Sequence, residues 1–388
     1  MIPADLARML AAIKQALPPG RAEIGLHEPV FQGNEWTYLK QCLDEGMVSS
    51  VGDFVRKFEH GLSDFTGTEH AVAVVNGTAA LHVCLRLIGT APDEEVLVPA
   101  LTFVATANAV AYCGAIPHFV DSEERTLGVD PAKLDIYLRE IAHVGADGCI
   151  NRRTGRRIRA LIAMHTFGHP VDLDRLVEVC NRHRLDLIED AAQSLGSWYK
   201  GRHTGNWGRL AAMSFNGNKI ITTGGGGAVL TNDKSLAERA RHITTTAKIA
   251  HPWAYVHDEV GFNYRLPNIN AALGCAQLEQ LPEFVARKRA LAERYRLAFS
   301  GINGARFFAE PDFARSNYWL NAIRLDGESS GARDALLDLA HREGIRLRPV
   351  WTLLHRLPMY ASSPRMSLDV AEALERSVIN LPSSAWSQ

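Results

Sequence analysis

The sequence predicts an α/β protein, a mostly parallel seven-stranded sheet with helices on both faces followed by a smaller α+β domain. Three observations carry this. From about residue 71, short β-rich runs alternate with helical stretches. Several runs hold apolar side chains at consecutive positions, as strands buried on both faces do. After about residue 262 the alternation gives way to helical stretches rich in Ala, Leu and charge. At 388 residues the chain also exceeds the size at which one core usually keeps growing. A large domain over 25–262 and a smaller one over 263–388, joined by the N-terminal helix within 1–24, therefore fit.

Taken in order, the first twenty residues place Leu6, Met9, Leu10, Ile13 and Leu17 at helical spacing, interrupted by Arg8 and Lys14 and ended by Pro18-Pro19-Gly20. This reads as an amphipathic helix and not as a signal peptide. The strand candidates are AVAVV (71–75), EVLVPA (95–100), IPHFVD (116–121), IRALIAMH (158–165), LDLIED (185–190), RLAAMSF (209–215) and GAVLTND (227–233). Helices are expected at 78–88, 104–113, 131–141 and 172–183, and from Lys234. Beyond them come a helical stretch over 268–299, NYWLNAIRL (317–325), a helix near 331–343 and IRLRPVW (345–351). The charge run NRRTGRR (151–157) reads as a solvated turn.

Composition narrows the function. Apolar residues make up 46% and charged residues 22%, the profile of an ordinary globular protein. A net charge of −1 gives no bulk attraction to nucleic acid or to an anionic membrane, and no apolar run is long enough to cross a bilayer. The six cysteines lie far apart without a Cys-x-x-Cys pair, as reduced thiols of a cytoplasmic protein would. Among fifteen histidines no metal or protease grouping appears, so no metal is expected; His165 and His169 in MHTFGHP read as satisfied strand-end residues.

Three segments carry candidate chemistry. SFNGNKIITTGGGG (214–227) follows a buried strand and sets Lys219 in an otherwise uncharged glycine-rich loop, in a chain with nine lysines against thirty-three arginines. A desolvated lysine keeps a neutral, nucleophilic amine at working pH, which condensation with an aldehyde requires. The loop alone equally suits a lysine facing water. NGTAAL (76–81) joins a strand to a helix, where Gly77, Thr78 and Ala79 could cradle a phosphate at the helix N-terminus; Asn76 or Thr78 could also be a simple N-cap. LIEDAAQSLG (187–196) ends a buried strand with Glu189 and Asp190, at the strand end where open α/β sheets place ligands. A buried carboxylate there is costly unless it meets a cation. Asp190 could otherwise cap a helix, and Glu189 points to the opposite side of its strand.

In this order and spacing, the three segments resemble the sugar aminotransferases of the DegT/DnrJ/StrS group within the fold-type I pyridoxal 5'-phosphate (PLP) enzymes. The resemblance runs from HEPVFQGNEW (27–36) to RPVWTLLHRLPMY (348–360). It implies that Lys219 bonds the cofactor aldehyde and that Ser214, Gly77, Thr78 and Ala79 hold its phosphate. It further implies that Asp190 faces the pyridine nitrogen, Gln193 lies by the ring oxygen and Phe103 stacks on the ring. Asn263 would reach the phosphate in the neighbouring subunit, making the protein a homodimer with shared sites. Relatives that lack the lysine catalyse deoxygenation, and Lys219 argues against that variant.

The resemblance also names substrates: L-glutamate as amino donor and a nucleotide-linked keto sugar as acceptor. VVNGTAALH, PALTFVATANAVAYCGA and SFNGNKIITTGGGG look most like LegC-like enzymes of legionaminic acid pathways, which implies amination at C4 of a UDP-4-keto-6-deoxy-N-acetylhexosamine. Rival acceptors are GDP-4-keto-6-deoxymannose, as in perosamine formation, and a 3-keto sugar. A non-catalytic PLP-binding regulator is the rival of another class, against which stands the lack of a DNA-binding motif; a cofactor-free binding protein is a third. Tyr318, His355 and Arg265 are candidate sugar-binding residues, with His257, Trp351 and Tyr360 beside them; core packing suits Trp351 better.

Overall fold

The computed structural model describes residues 4–327 and 330–386. The opening helix is α1 (Ala4–Ala16), and α2 (Glu35–Asp44) and α3 (Asp53–Thr66) precede the first strand. Strand and helix then alternate: β1 (His70–Val74), α4 (Gly77–Leu87), β2 (Glu95–Pro99), α5 (Val104–Tyr112), β3 (Ile116–Val120) and α6 (Pro131–Ile141). A hairpin, β4 (Ala142–Gly145) and β5 (Gly148–Asn151), leads into β6 (Arg157–Met164), α7 (Leu173–His183) and β7 (Asp186–Asp190). The short β8 (Trp198–Tyr199) and β9 (Arg202–His203) come before β10 (Leu210–Ser214), β11 (Gly227–Thr231) and α8 (Lys234–Thr244). The rest comprises α9 (Asn268–Ala298), β12 (Ala305–Phe307), β13 (Ala314–Arg315), β14 (Asn321–Leu325), α10 (Ser330–Arg342), β15 (Arg348–Pro349), α11 (Asp369–Ser377) and β16 (Val378–Leu381).

All seven predicted strands lie on one path in the order β1-β11-β10-β7-β6-β2-β3. The strands from β10 to β3 are parallel, whereas β11 is antiparallel to both β10 and β1. The β4–β5 hairpin, which the pattern did not predict, adds two antiparallel strands on β6 and raises the sheet to nine. Its run AHVGADGCIN is too short and too mixed to show alternation. NRRTGRR is the turn that returns β5 to β6, with Arg152 and Arg153 exposed.

This topology collects the three segments. β1 is antiparallel to a strand that is itself antiparallel to β10, so β1 points the same way as the parallel strands. The loops after β1, β2, β7 and β10, which carry NGTAAL, Phe103, Asp190 and Lys219, therefore leave one edge of the sheet, where doubly wound folds bind ligands. Apolar side chains of both sheet faces and their helices form the main core. A separate core joins α1 to the sheet β12-β14-β16-β15 through Leu10, Ile13, Ile323 and Ile379. Helix α9 serves both, giving Phe284 and Val285 to the first and Leu291 and Tyr295 to the second.

Candidate active site

The turn after β1 is built to let backbone approach backbone. A Cβ on Gly227 would lie 2.5 Å from the carbonyl of Asn76, and one on Gly77 would lie 2.7 Å from the Cβ of Ser214. Only glycine lets β11 and Ser214 close on this helix start. The Asn76 side chain caps α4, accepting from the Ala79 N–H at 2.8 Å. The cradle is thus narrower than the sequence suggested: the Ala79 amide is already taken, which leaves the Gly77 and Thr78 amides at a helix N-terminus. The Thr78 and Ser214 hydroxyls have no hydrogen bond of their own among the described residues, and both stand partly open to solvent. Their donors and the helix dipole suit a phosphate.

Asp190 ends β7, 3% exposed. Its Oδ2 accepts from the Thr106 hydroxyl at 2.8 Å and its Oδ1 from the Ala192 N–H at 3.2 Å. Burial raises its pKa, and these two donors only partly counter that. No salt bridge among the described residues reaches it, so a cationic ring nitrogen is the kind of group this carboxylate lacks. Thr106, which no sequence motif singles out, sits on α5 and is itself held by Thr102 at 3.0 Å. The adjacent Glu189 is fully buried on the opposite side of the strand, accepting the N–H groups of Gly205, Trp207 and Gly208, each at 2.7 Å, and facing His165 Nε2 at 2.9 Å. One strand end thus presents a structural carboxylate and a chemically available one.

Lys219 leaves the loop after β10 with its ammonium 4.3 Å from the ring centroid of Trp319 and with no hydrogen-bonding partner among the described residues. The residue keeps some contact with solvent, yet removal of its amine from water lowers its pKa to about 8, Asp190 pulling the other way. Trp319 is fixed by its indole N–H, which donates to the Asn218 carbonyl at 2.7 Å. The loop beyond is tied down by Asn270, which donates to the Thr223 carbonyl at 2.7 Å.

The other expected residues divide. Gln193 is buried with its carbonyl accepting from the Phe167 N–H at 2.7 Å, leaving its amide nitrogen uncommitted. Phe103 caps α5, the helix that bears Thr106, and its ring is 50% exposed although the loop around it is buried. Asn263 is exposed beside Thr245. Trp351 both packs and lines: its ring is 5.2 Å from Phe167 and 6.5 Å from Phe103, and it walls a cleft beside Trp319.

Three expected sugar-binding residues have other commitments. Tyr318 is buried, its ring against His169 and its hydroxyl accepting from the Glu310 N–H at 3.2 Å, because a positive φ of 46° turns it inward. Arg265 is committed to Glu59 at 2.7 Å, beneath β1. His355 has its side chain 9% exposed and its Nε2 3.6 Å from Glu372. His169 also departs from expectation. His165 is satisfied, but both ring nitrogens of His169 are buried without partners, and burial lowers its pKa to about 3. Gly168, at φ 96°, carries the chain past the strand end and into an aromatic cluster with Phe308 and Tyr318.

Residues 30–386 match the DegT/DnrJ/EryC1/StrS aminotransferase family. The chain is 38% identical over 365 residues to the GDP-perosamine synthase of Caulobacter vibrioides, covering 93% of each. It is 36% identical over 362 residues to the GDP-perosamine synthase of Escherichia coli O157:H7, again covering 93% of each. Among solved structures, the aminotransferase TlmJ of Streptoalloteichus hindustanus superposes with a TM-score of 0.84 at 29% identity, over 93% of both chains.

Proposed function

The chain belongs to the DegT/DnrJ/EryC1/StrS aminotransferase family, and from that premise we propose that it moves an amino group from L-glutamate to C4 of a nucleotide-linked 4-keto-6-deoxy sugar. It is a sugar aminotransferase that works with PLP. The observation that carries the reading is Lys219, an unpaired amine with its pKa brought down to about 8 in a loop at the same sheet edge as Asp190.

When bound, the cofactor supplies an aldehyde that accepts the amino group and a ring that disperses the negative charge left by proton removal. Gly77, Thr78 and Ser214 would hold its phosphate, Asp190 its ring nitrogen, Gln193 its ring oxygen and Phe103 one ring face. Lys219 then has two tasks. Its amine would bond the cofactor aldehyde and so anchor it; when free of that bond, Nζ would be the base that accepts the donor Cα proton and the acid that supplies one to the sugar carbon. A pKa near 8 lets one group do both, because neither protonation state is strongly disfavoured at neutral pH. Asp190, kept ionised by the Thr106 hydroxyl and the cation it faces, would hold the ring nitrogen positive while charge develops.

Two acceptors are in view. The sequence strings favour a UDP-4-keto-6-deoxy-N-acetylhexosamine. The Caulobacter relative, 38% identical over nearly the whole chain, favours GDP-4-keto-6-deoxymannose. The experiment is a panel of UDP-, GDP- and 3-keto sugars given with glutamate, scored by 2-oxoglutarate release and by the carbon that gains nitrogen. Amination of the GDP sugar at C4 supports the reading; a protein that releases no 2-oxoglutarate with any acceptor contradicts it.

We also read the enzyme as a homodimer. Trp36, Trp253 and Val260 are 85%, 81% and 82% exposed, large apolar side chains that a lone chain would leave wet. A second copy covering it would bring Asn263 and the loop with His257 towards the neighbouring site. No helix among the described residues is long and apolar enough to cross a membrane. The six cysteines are unpaired, which suits a cytoplasmic location.

A further inference from the structure

Beside the Lys219 loop lies a cleft of about 580 Å³, lined by Asn218, Trp319 and Trp351 together with residues of β15 and β16. None of the sugar-binding candidates named from the sequence, apart from Trp351, lines it. Its polar groups are unsatisfied in a consistent way. Arg346 and Arg348 stand on either side of the buried Leu347, and both are exposed and line the cleft. Arg348 has no ion pair or hydrogen bond among the described residues, and the nearest carboxylate to Arg346 is Glu23 at 3.9 Å on an exposed surface. Directly across the antiparallel pairing from Arg348 stands Asn380. Asn380 is 4% exposed and its side chain forms no hydrogen bond among the described residues: the amide oxygen is buried without a partner, and the amide nitrogen is the donor it can offer to an anion. His27 lines the same cleft with both ring nitrogens buried and unpartnered, and burial holds its pKa well below the usual histidine value. A buried polar group normally finds a partner; the Asn380 amide and the His27 ring have none, and the exposed Arg348 guanidinium that lines the cleft with them is unpaired, so a ligand with oxygen acceptors is the partner that suits all three.

We infer that this cleft is an anion subsite for the substrates, with Arg348 as its main ligand, Asn380 and His27 as neutral hydrogen-bonding partners, and Arg346 at its rim. This rests on the aminotransferase reading, since the cleft's wall is the tryptophan against which Lys219 lies. A planar guanidinium matches carboxylate and phosphate oxygens alike, and the reaction offers both: the distal carboxylate of glutamate and the diphosphate of the sugar nucleotide.

Titration calorimetry on the holoenzyme separates the two sources with unreactive probes, glutarate in one arm and GDP or UDP in the other. Wild type and Arg348→Gln would be compared, with Asn380→Leu as a second variant and melting temperature and cofactor absorbance as folding controls. A charge-assisted contact of this kind is worth roughly a tenfold to hundredfold change in affinity. Weakening of that size by Arg348→Gln for glutarate assigns the donor carboxylate, and for the nucleoside diphosphate assigns the sugar nucleotide. Wild-type affinity for both probes in a folded Arg348→Gln variant overturns the inference. Because the wild-type enzyme's amino transfer is measured separately, that outcome leaves the aminotransferase reading standing, whereas absence of transfer by wild type removes the reading itself.

Discussion

Thr106→Val removes one oxygen from the support of Asp190 and keeps the shape of the side chain. The Thr106 hydroxyl donates to Asp190 Oδ2 at 2.8 Å, one of only two hydrogen bonds that the carboxylate accepts. Burial already raises the Asp190 pKa, and Thr106 is the first of the groups that lower it. Losing a hydrogen bond to a charged group costs about 1.5–3 kcal/mol, or roughly a tenfold to hundredfold loss if it falls on the step in which Asp190 must be ionised. The sign follows: in the variant Asp190 holds its proton to higher pH, so the deficit is greatest on the acid side and narrows as pH rises. The assay is stopped-flow absorbance of the holoenzyme mixed with glutamate alone, from pH 6 to pH 9, with Thr106→Ser as the control that restores the donor. A Thr106→Val enzyme within about threefold of wild type across that range would refute the argument that this hydroxyl keeps Asp190 charged.

Three further expectations rest on other geometry. Glu189→Gln and Asp190→Asn should separate stability from chemistry. The first disturbs a buried acceptor of three N–H groups and a histidine and lowers the melting temperature. The second leaves melting near wild type and reduces the glutamate half-reaction at least a hundredfold, both checked by calorimetry and absorbance. Gly77→Ala places a Cβ 2.7 Å from that of Ser214, so its cofactor dissociation constant, measured by fluorescence titration, should rise at least tenfold. Lys288 is fully buried, donating to the Trp319 carbonyl at 3.0 Å and to the Ser383 carbonyl, and burial holds its pKa well below the usual lysine value. The unfolded chain therefore binds a proton that the folded chain does not, and this residue's contribution to stability rises with pH between the folded value and the ordinary one near 10.4. Denaturant unfolding of wild type and Lys288→Met should diverge with pH by up to about 1.4 kcal/mol per unit over that window; parallel curves would count against a depressed lysine.

What the sequence made legible follows from what burial does to composition. Strands such as AVAVV and RLAAMS are buried on both faces and read as continuous apolar runs, so their existence and order were plain. Helix α3 was also within reach, with Phe54, Phe58 and Leu62 at helical spacing, though it lies outside the alternating region that carried the reading. Strand order was not legible: nothing local says that β2 and β7 flank β6, and that placement alone lets Thr106 on α5 meet Asp190. Tyr318 misled because its residue type suits sugar recognition while its backbone, in the left-handed region, turns the ring into the core. Arg348 and Asn380 were missed for the converse reason. Each looks like an ordinary strand-edge polar residue until the pairing of β15 with β16 sets them side by side.

The central claim is that the amine at position 219 bonds the aldehyde of PLP, and reductive trapping tests it most directly. Borohydride added to the pure holoenzyme, followed by proteolysis and peptide mass measurement, should place the pyridoxyl group on the peptide carrying Asn218, Lys219 and Ile220, and a Lys219→Ala protein should show no such mass. A pyridoxyl group on any of the other eight lysines of this chain, or on none, would contradict the account.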